Sequence, residues 1–393
     1  MEKFLHAINS VQGCEWRWLN KLWDALGDWK YVWERVSLFE LAQACSGLRN
    51  GGKKFAERLF AARGKFDVER EFARLWDRDI VVVSRDNFEY PKLLAELPDA
   101  PFLFYRKGSP LVNPACDATQ KCEPRRMAIV GTRRCTKYGE NIAYDLAEAL
   151  AMQDIVVVSG LAYGIDAVAH FAVVSAKKPT IAVLASGLFD VTPSAHQRLA
   201  EKILETGGTL ISEYPPSAPA IAYRFLERNR IIAGLCDTTI VVEAGEKSGA
   251  SVTARLANEY GREVYAVPGD INKEKSQGCL ELIYKGAHPF LSITRFLEDC
   301  KLSKNGQGNP ASLLKNLSAQ EQKIINAFSP HASPSSKALS TNELAAITSL
   351  TIPTLNMLFA ELEFKGLLSR NPQGHWKLGA GDKRELGGSA IRL

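Results

Sequence analysis

Three short stretches concentrate the residues that can do chemistry. Gly131-Thr132-Arg133-Arg134 ends one Val/Ile-rich run and precedes a segment of helical period. A glycine there lets backbone amides face an anion, and a helix amino end adds partial positive charge. Thr132 can donate a hydrogen bond, and Arg133 can hold a phosphate in a two-pronged grip. Ser159-Gly160, with Gly164, repeats the design after the next apolar run, and Ser248-Gly249 repeats it after a later one. Between them, Arg224, Phe225, Arg228 and Arg230 fall within seven residues. Guanidinium groups for phosphates and an aromatic face for a base are what an unpaired polynucleotide needs. On a helix Arg228 and Arg230 point in different directions, so one of the two is expected to face a ligand. An internal ion pair with Glu213 or Glu243 is the alternative, and spacing alone does not choose between them.

Other chemistries find less support. The glycines lack Gly-x-Gly-x-x-Gly spacing, and no Gly-Lys-Ser/Thr follows the first loop, so neither a dinucleotide fingerprint nor a Walker loop is present. Asp166 and His170 share a helix face, but no nucleophile or metal ligand completes a constellation, and a structural histidine is expected. The eight cysteines include no Cys-x-x-Cys pair. Cys116 and Cys122 flank a polar insertion and read as reduced thiols in a surface loop. No catalytic residue, metal or cofactor is therefore expected. Lys and Arg exceed Asp and Glu by 49 to 44, which permits a polyanionic partner without demanding one. No apolar run approaches the roughly 18 residues of a membrane span, and a reducing cytoplasm fits the cysteine usage.

These residues need a frame that gathers them. Apolar runs at 127–132, 154–159, 180–185, 208–213, 238–243 and 263–267 alternate with helical periods at 138–152, 164–177, 194–206, 228–235, 249–260, 277–286 and 293–300. That is the pattern of a doubly wound parallel sheet, with every strand-end loop on one rim. Asp79–Ser84 and Pro101–Gly108 read as strands extending one edge. Residues 1–78 read as a helical domain. Five of the seven tryptophans lie between Trp16 and Trp33 and are expected in its core; a DNA-clamping helical hairpin is the alternative, weakened by having only Gly13 at the turn. The central domain would span 79–302. Residues 303–310 form a linker, and 311–378 a winged helix opening on a Ser318/Glu321 capping box and ending in a hairpin turned at Pro372 to Gly374. Residues 379–393 read as a disordered tail.

The stretches IVGTRRCTKYG, VVSGLAYGIDAVAH, TIAVLASGL, LISEYP, RNRIIAGL, VVEAGEKSGASVTARLA, GREVYAVPGD and LIYKGA together resemble the DprA/Smf family of DNA-processing proteins, over about residues 79–290. The resemblance implies an extended Rossmann-like domain in a protein that binds single-stranded DNA, forms a homodimer and helps load the RecA recombinase during natural transformation, without catalysis. It implies ligand-binding roles for Gly131, Thr132, Arg133, Ser159, Gly160, Phe225, Arg228, Arg230, Ser248 and Gly249. The chain departs from the family pattern at Leu226 (usually Pro), Thr192-Pro193 (Tyr-Pro), His196 (Asn) and Leu280 (Asn). Two other functions compete. A nucleotide-hydrolysing enzyme would carry a Pro-Gly-Gly-x-Gly-Thr loop, and the nearest match, Val267-Pro-Gly-Asp, is on the wrong strand. A regulator acting through the winged helix should have a basic reading helix, whereas 351–365 carries Glu361, Glu363 and Lys365.

Overall fold

The Val- and Ile-rich runs become the strands of one sheet. The structure is a computed structural model and describes residues 1–46, 51–112, 123–302, 318–328, 339–364, 368–370 and 375–378. Cys116, Cys122, the expected linker, the wing turn and the tail lie outside the described residues. The chain divides into two units, Met1–Cys300 and Lys301–Leu393.

In the first unit the strands are Ile80–Ser84 (β1), Leu103–Gly108 (β2), Arg126–Val130 (β3), Val156–Ser159 (β4), Thr180–Val183 (β5), Thr209–Ser212 (β6), Thr238–Val241 (β7), Glu263–Ala266 (β8) and His288–Pro289 (β9). They lie in the order β1-β2-β6-β5-β4-β3-β7-β8-β9. From β6 to β9 every neighbouring pair is parallel; β2 is antiparallel to β6, and β1 to β2. β3 is buried along its whole length, as a strand covered on both faces must be. The alternation of side chains divides the core: Leu103 and Tyr105 of β2 join one apolar cluster, and Phe104 between them joins the other.

Helices fill both faces. Glu2–Asn9 (α1), Trp16–Leu26 (α2), Trp29–Glu34 (α3), Leu38–Ala44 (α4), Gly52–Ala62 (α5) and Val68–Trp76 (α6) form the amino-terminal bundle. Trp18, Trp29 and Trp33 are buried in it, as a core role requires. The bundle shares its core with Ile80, Val82, Leu103 and Tyr105 of the sheet. At that junction His6 Nδ1 lies 2.9 Å from the Tyr105 hydroxyl, and Asn9 Nδ2 donates to the same oxygen at 3.2 Å. Lys92–Ala95 (α7), Lys137–Met152 (α8), Ile165–Ser175 (α9), Gln197–Glu205 (α10), Ala222–Gly234 (α11), Gly249–Glu259 (α12), Glu274–Tyr284 (α13) and Ile293–Asp299 (α14) complete the unit.

The sequence-based strand limits agree closely with these. The clearest correction is α11, which begins at Ala222 rather than at 228. Leu226 explains it: a proline at this interior helical position would remove an amide donor, and leucine supplies one. Phe225 is consequently a helical residue. α13 likewise begins at Glu274 rather than at 277.

The second unit contains Ala319–Asn326 (α15), Thr341–Thr348 (α16), Ile352–Phe364 (α17), Leu368–Arg370 (β10) and Trp376–Leu378 (β11). β10 and β11 pair antiparallel, and Leu339 bridges to Trp376. The Ser318/Glu321 capping box forms in both halves, and Ser340 and Glu343 repeat it.

Candidate nucleic-acid interface

The winding of the sheet reverses beside β3. From β3 the chain moves outward through β4, β5 and β6, then returns to place β7 on the other side of β3. Loops leaving the carboxyl ends of β3 and β7 diverge and open a crevice, the usual ligand site of open α/β sheets. Gly131–Arg134 leaves β3, residues 243–248 leave β7, and α11 carries Phe225 and Arg228 to the same place. A cleft of about 1390 Å³ opens there.

Seven of the ten residues expected to bind ligand line this cleft: Gly131, Thr132, Arg133, Phe225, Arg228, Ser248 and Gly249. The Arg133 guanidinium lies 4.7 Å from the Phe225 ring centre, a cation–π contact across the cleft. Arg134, Lys247 and Lys275 add cations, against Asp166, Glu246 and Glu274. Ser248 caps α12 by accepting from the Ser251 amide at 3.2 Å. The amides that follow it, at Gly249 and Ala250, open α12 and have no intrahelical acceptor.

Beside two of the expected anion loops, one of the protein's own carboxylates already takes a backbone amide. At the second loop, the Gly160 amide donates to Asp166 Oδ2 at 3.2 Å, and Ser159 Oγ donates to the Ile129 carbonyl at 2.7 Å. Ser159 is fully buried, so this pair is turned inward. At the first loop, Glu243 reaches the amino end of α8, where the Thr136 amide donates to its Oε2 at 2.8 Å. The Thr136 amide and hydroxyl are thus engaged inside the protein, while Arg133 and Arg134 are exposed.

The two arginines of α11 part company. Arg228 is buried but lines the cleft; its Nη1 donates to the Gly160 carbonyl at 2.7 Å and also to the Val183 carbonyl. A side chain at Gly160 would collide with this guanidinium. Burial lowers the Arg228 pKa, with Asp166 opposing the shift. Arg230 is not brought into the cleft. Its Nη2 donates to Glu213 Oε1 and Oε2 at 2.5 and 2.6 Å, its Nη1 donates to the Asp99 carbonyl at 2.6 Å, and Trp16 lies 5.6 Å from it. Burial opposes the Arg230 charge, and Glu213 with Asp99 outweighs it, so its pKa is raised. The internal ion pair is thus realised for Arg230, by way of Glu213.

The candidate acid–base pair does not assemble either. His170 is fully buried with Nδ1 2.9 Å from Thr180 Oγ1, and burial pushes its pKa down to about 3. His196, at one departure from the family pattern, places Nδ1 2.8 Å from the Leu161 carbonyl and ties the 190–196 loop to the loop after β4. Leu226 is half exposed on the cleft wall. Among the described residues no group of His, Cys, Asp and Glu could hold a metal ion, and no helix is long and apolar enough to cross a membrane.

Sequence reading had passed over Asn229 and Lys247. Asn229 accepts from Arg228 Nε at 3.2 Å and donates to the Gly249 carbonyl at 3.1 Å, joining α11 to the Ser248 turn. Lys247 was legible as a cation beside that turn; Asn229, lying between two arginines, carried no signal of its own.

An open, mostly parallel sheet with a cleft lined by cations and one aromatic ring at its switch point defines a mixed α/β protein of the doubly wound class. Comparison with known proteins narrows the class: the chain belongs to the DNA recombination-mediator protein A family, DprA or Smf, whose match spans residues 81–301. A DprA relative from Mycobacterium tuberculosis is 38% identical over 361 residues, covering 88% of this chain and 91% of that protein. Protein Smf of Escherichia coli is 33% identical over 299 residues, covering 76% and 77%. The crystal structure of DNA processing protein A from Streptococcus pneumoniae matches with a TM-score of 0.62 at 31% identity, covering 76% of this chain and 97% of that one.

Proposed function

We propose that the chain binds single-stranded DNA in the β3/β7 cleft and acts by binding rather than by catalysis. One observation carries this reading: Arg133, Arg134, Lys247 and Lys275 line a single open cleft with Phe225, whose ring Arg133 touches. At about 1390 Å³ the cleft exceeds the ~300–1,000 Å³ usual for small-molecule sites, which favours a polymer over a free nucleotide. For a non-catalytic role the support is that the one candidate acid–base pair is engaged elsewhere: Asp166 is held by a backbone amide, and His170 is sealed against Thr180.

Family membership supports the rest of the proposal: recombination mediation with RecA loading on incoming DNA, and a homodimer that doubles the strand-binding sites and gains avidity. The division 1–78, 79–302, 303–310, 311–378 belongs to the same reading. For a winged helix at 311–378, the support is the succession α15, the Leu339 bridge, α16, α17 and the β10–β11 hairpin.

The test is a salt titration of oligonucleotide binding by the full chain. Four cations meeting four phosphates give a slope of about −3 in log K against log salt, at ~0.7 per phosphate on a single strand. Arg133→Ala should weaken single-strand binding and reduce the slope by about 0.7. Equal binding of duplex and single strand, or an unchanged Arg133→Ala variant, would overturn the reading, as would release of free base from nucleoside monophosphates.

A further inference from the structure

Glu243 sits beneath the Arg133 loop and touches it at both ends. Its main-chain carbonyl accepts from the Thr132 amide at 2.7 Å. Its side chain crosses to Thr136, taking the amide on Oε2 at 2.8 Å and the hydroxyl on Oε1. Arg133 and Arg134 lie between those two anchor points. Thr136 in turn caps α8 by accepting from the Gly139 amide at 3.2 Å. Room for the carboxylate comes from Gly139, where a Cβ would stand 2.5 Å from Oε2. Glu243 itself is only 6% exposed.

The arrangement is electrostatically costly for a site that takes a polyanion, because a carboxylate lies under the loop that must receive phosphates. What it supplies is shape: two anchors fix a five-residue span that would otherwise have to be ordered when the ligand arrives. We infer that Glu243 is a positioning residue for the cleft, holding the Arg133–Arg134 loop in its strand-receiving shape before the strand binds. This rests on the cleft being the strand's seat.

The two roles of the carboxylate predict opposite signs. As a charge alone, its removal would tighten polyanion binding. As a positioning group, its removal must weaken binding even though a negative charge has gone. The experiment measures single-strand affinity by fluorescence anisotropy, with thermal unfolding, for the full chain carrying Glu243→Ala, Glu243→Gln, Arg133→Ala and the Glu243→Ala/Arg133→Ala pair. Glu243→Ala should lose at least about tenfold in affinity, the worth of one charge-assisted phosphate contact. Glu243→Gln should restore binding to the wild-type level or above, since its carbonyl can take the Thr136 amide and its NH₂ can donate to the Thr136 hydroxyl. In the Arg133→Ala background, Glu243→Ala should lose clearly less than in the wild type, because one of the two arginines it positions is gone. Unchanged or tighter binding by Glu243→Ala, or equal and additive losses in both backgrounds, overturns the inference. Should Glu243→Ala unfold, the Gln variant decides: weak binding by a folded Glu243→Gln protein also overturns it. If Arg133→Ala binds as the wild type does, the cleft reading has failed instead.

Discussion

Replacing Arg230 by Ala leaves the Glu213 carboxylate buried without its counter-charge. The two side chains are 6% and 12% exposed, and three hydrogen bonds of 2.5–2.6 Å join Arg230 to Glu213 and the Asp99 carbonyl. Breaking one side of such a pair costs about 3–5 kcal/mol, whereas replacing both partners by apolar groups of similar volume is often close to neutral. Arg230→Ala should therefore lower the unfolding free energy by about 3–5 kcal/mol, and Arg230→Met with Glu213→Leu should recover most of it. Single-strand affinity, measured where both variants are folded, should stay close to wild type, because Arg230 does not line the cleft. Guanidinium denaturation monitored by tryptophan fluorescence reads the first quantity. An Arg230→Ala protein that unfolds at the wild-type midpoint yet has lost the oligonucleotide would refute this reasoning and return Arg230 to the binding surface.

Two further perturbations follow from the geometry. Burial holds His6 down at about 4 and His170 at about 3, against 6.5 for a free side chain, so both stay neutral in the fold while the unfolded chain protonates. Stability should fall as pH drops below 6.5, by about 1.4 kcal/mol per unit for each histidine until its own folded pKa is reached. His6→Gln should flatten the part of that decline above about pH 4, and denaturant midpoints between pH 7 and 4 that respond identically in wild type and variant would contradict it. Gly164 has φ +76°, and a Cβ there would press on the Thr132 carbonyl; Gly164→Ala should cost about 1–3 kcal/mol and also weaken strand binding by displacing the Arg133 loop. Gly207, at φ +78° with nothing within 4 Å, is the control: its Ala variant should lose stability and keep affinity, and matching affinities in the two variants would break the link from Gly164 to the loop.

The alternation of apolar runs with helical periods was enough to place the strands, because a buried parallel strand leaves little room for polar residues. It was also enough to bring the ends of β3 and β7 onto one rim. Periodicity further required Arg228 and Arg230 to diverge, since neighbours two apart on a helix face different ways. Which of the two reached the cleft depended on Glu213 and Asp99, brought in from separate parts of the chain to hold Arg230. The carboxylates beside the two anion loops were illegible for the same reason. Glu243 lies 107 residues from Thr136, and nothing local at Gly131–Arg134 announces that a carboxylate will occupy the space beneath. Asp166 is only six residues from Gly160, but its acceptor role depends on the turn that Gly164 makes between them.

The cleft has one consequence for how it must work. With Glu243 at the amino end of α8 and Asp166 on the Gly160 amide, one backbone amide on each of the β3 and β4 sides is already paired with a carboxylate. The groups left to meet phosphates are side-chain cations, exposed at Arg133, Arg134 and Lys247, together with the opening amides of α12. Long, solvated cations give contacts that are tolerant in geometry, weak singly and strongly salt-dependent. Such contacts suit a ligand whose phosphates repeat and whose register is free to shift, with Phe225 offering a face to whichever base passes. A mononucleotide site would gather its donors on one phosphate; here the cations are spread over the loop after β3, the loop after β7 and α13.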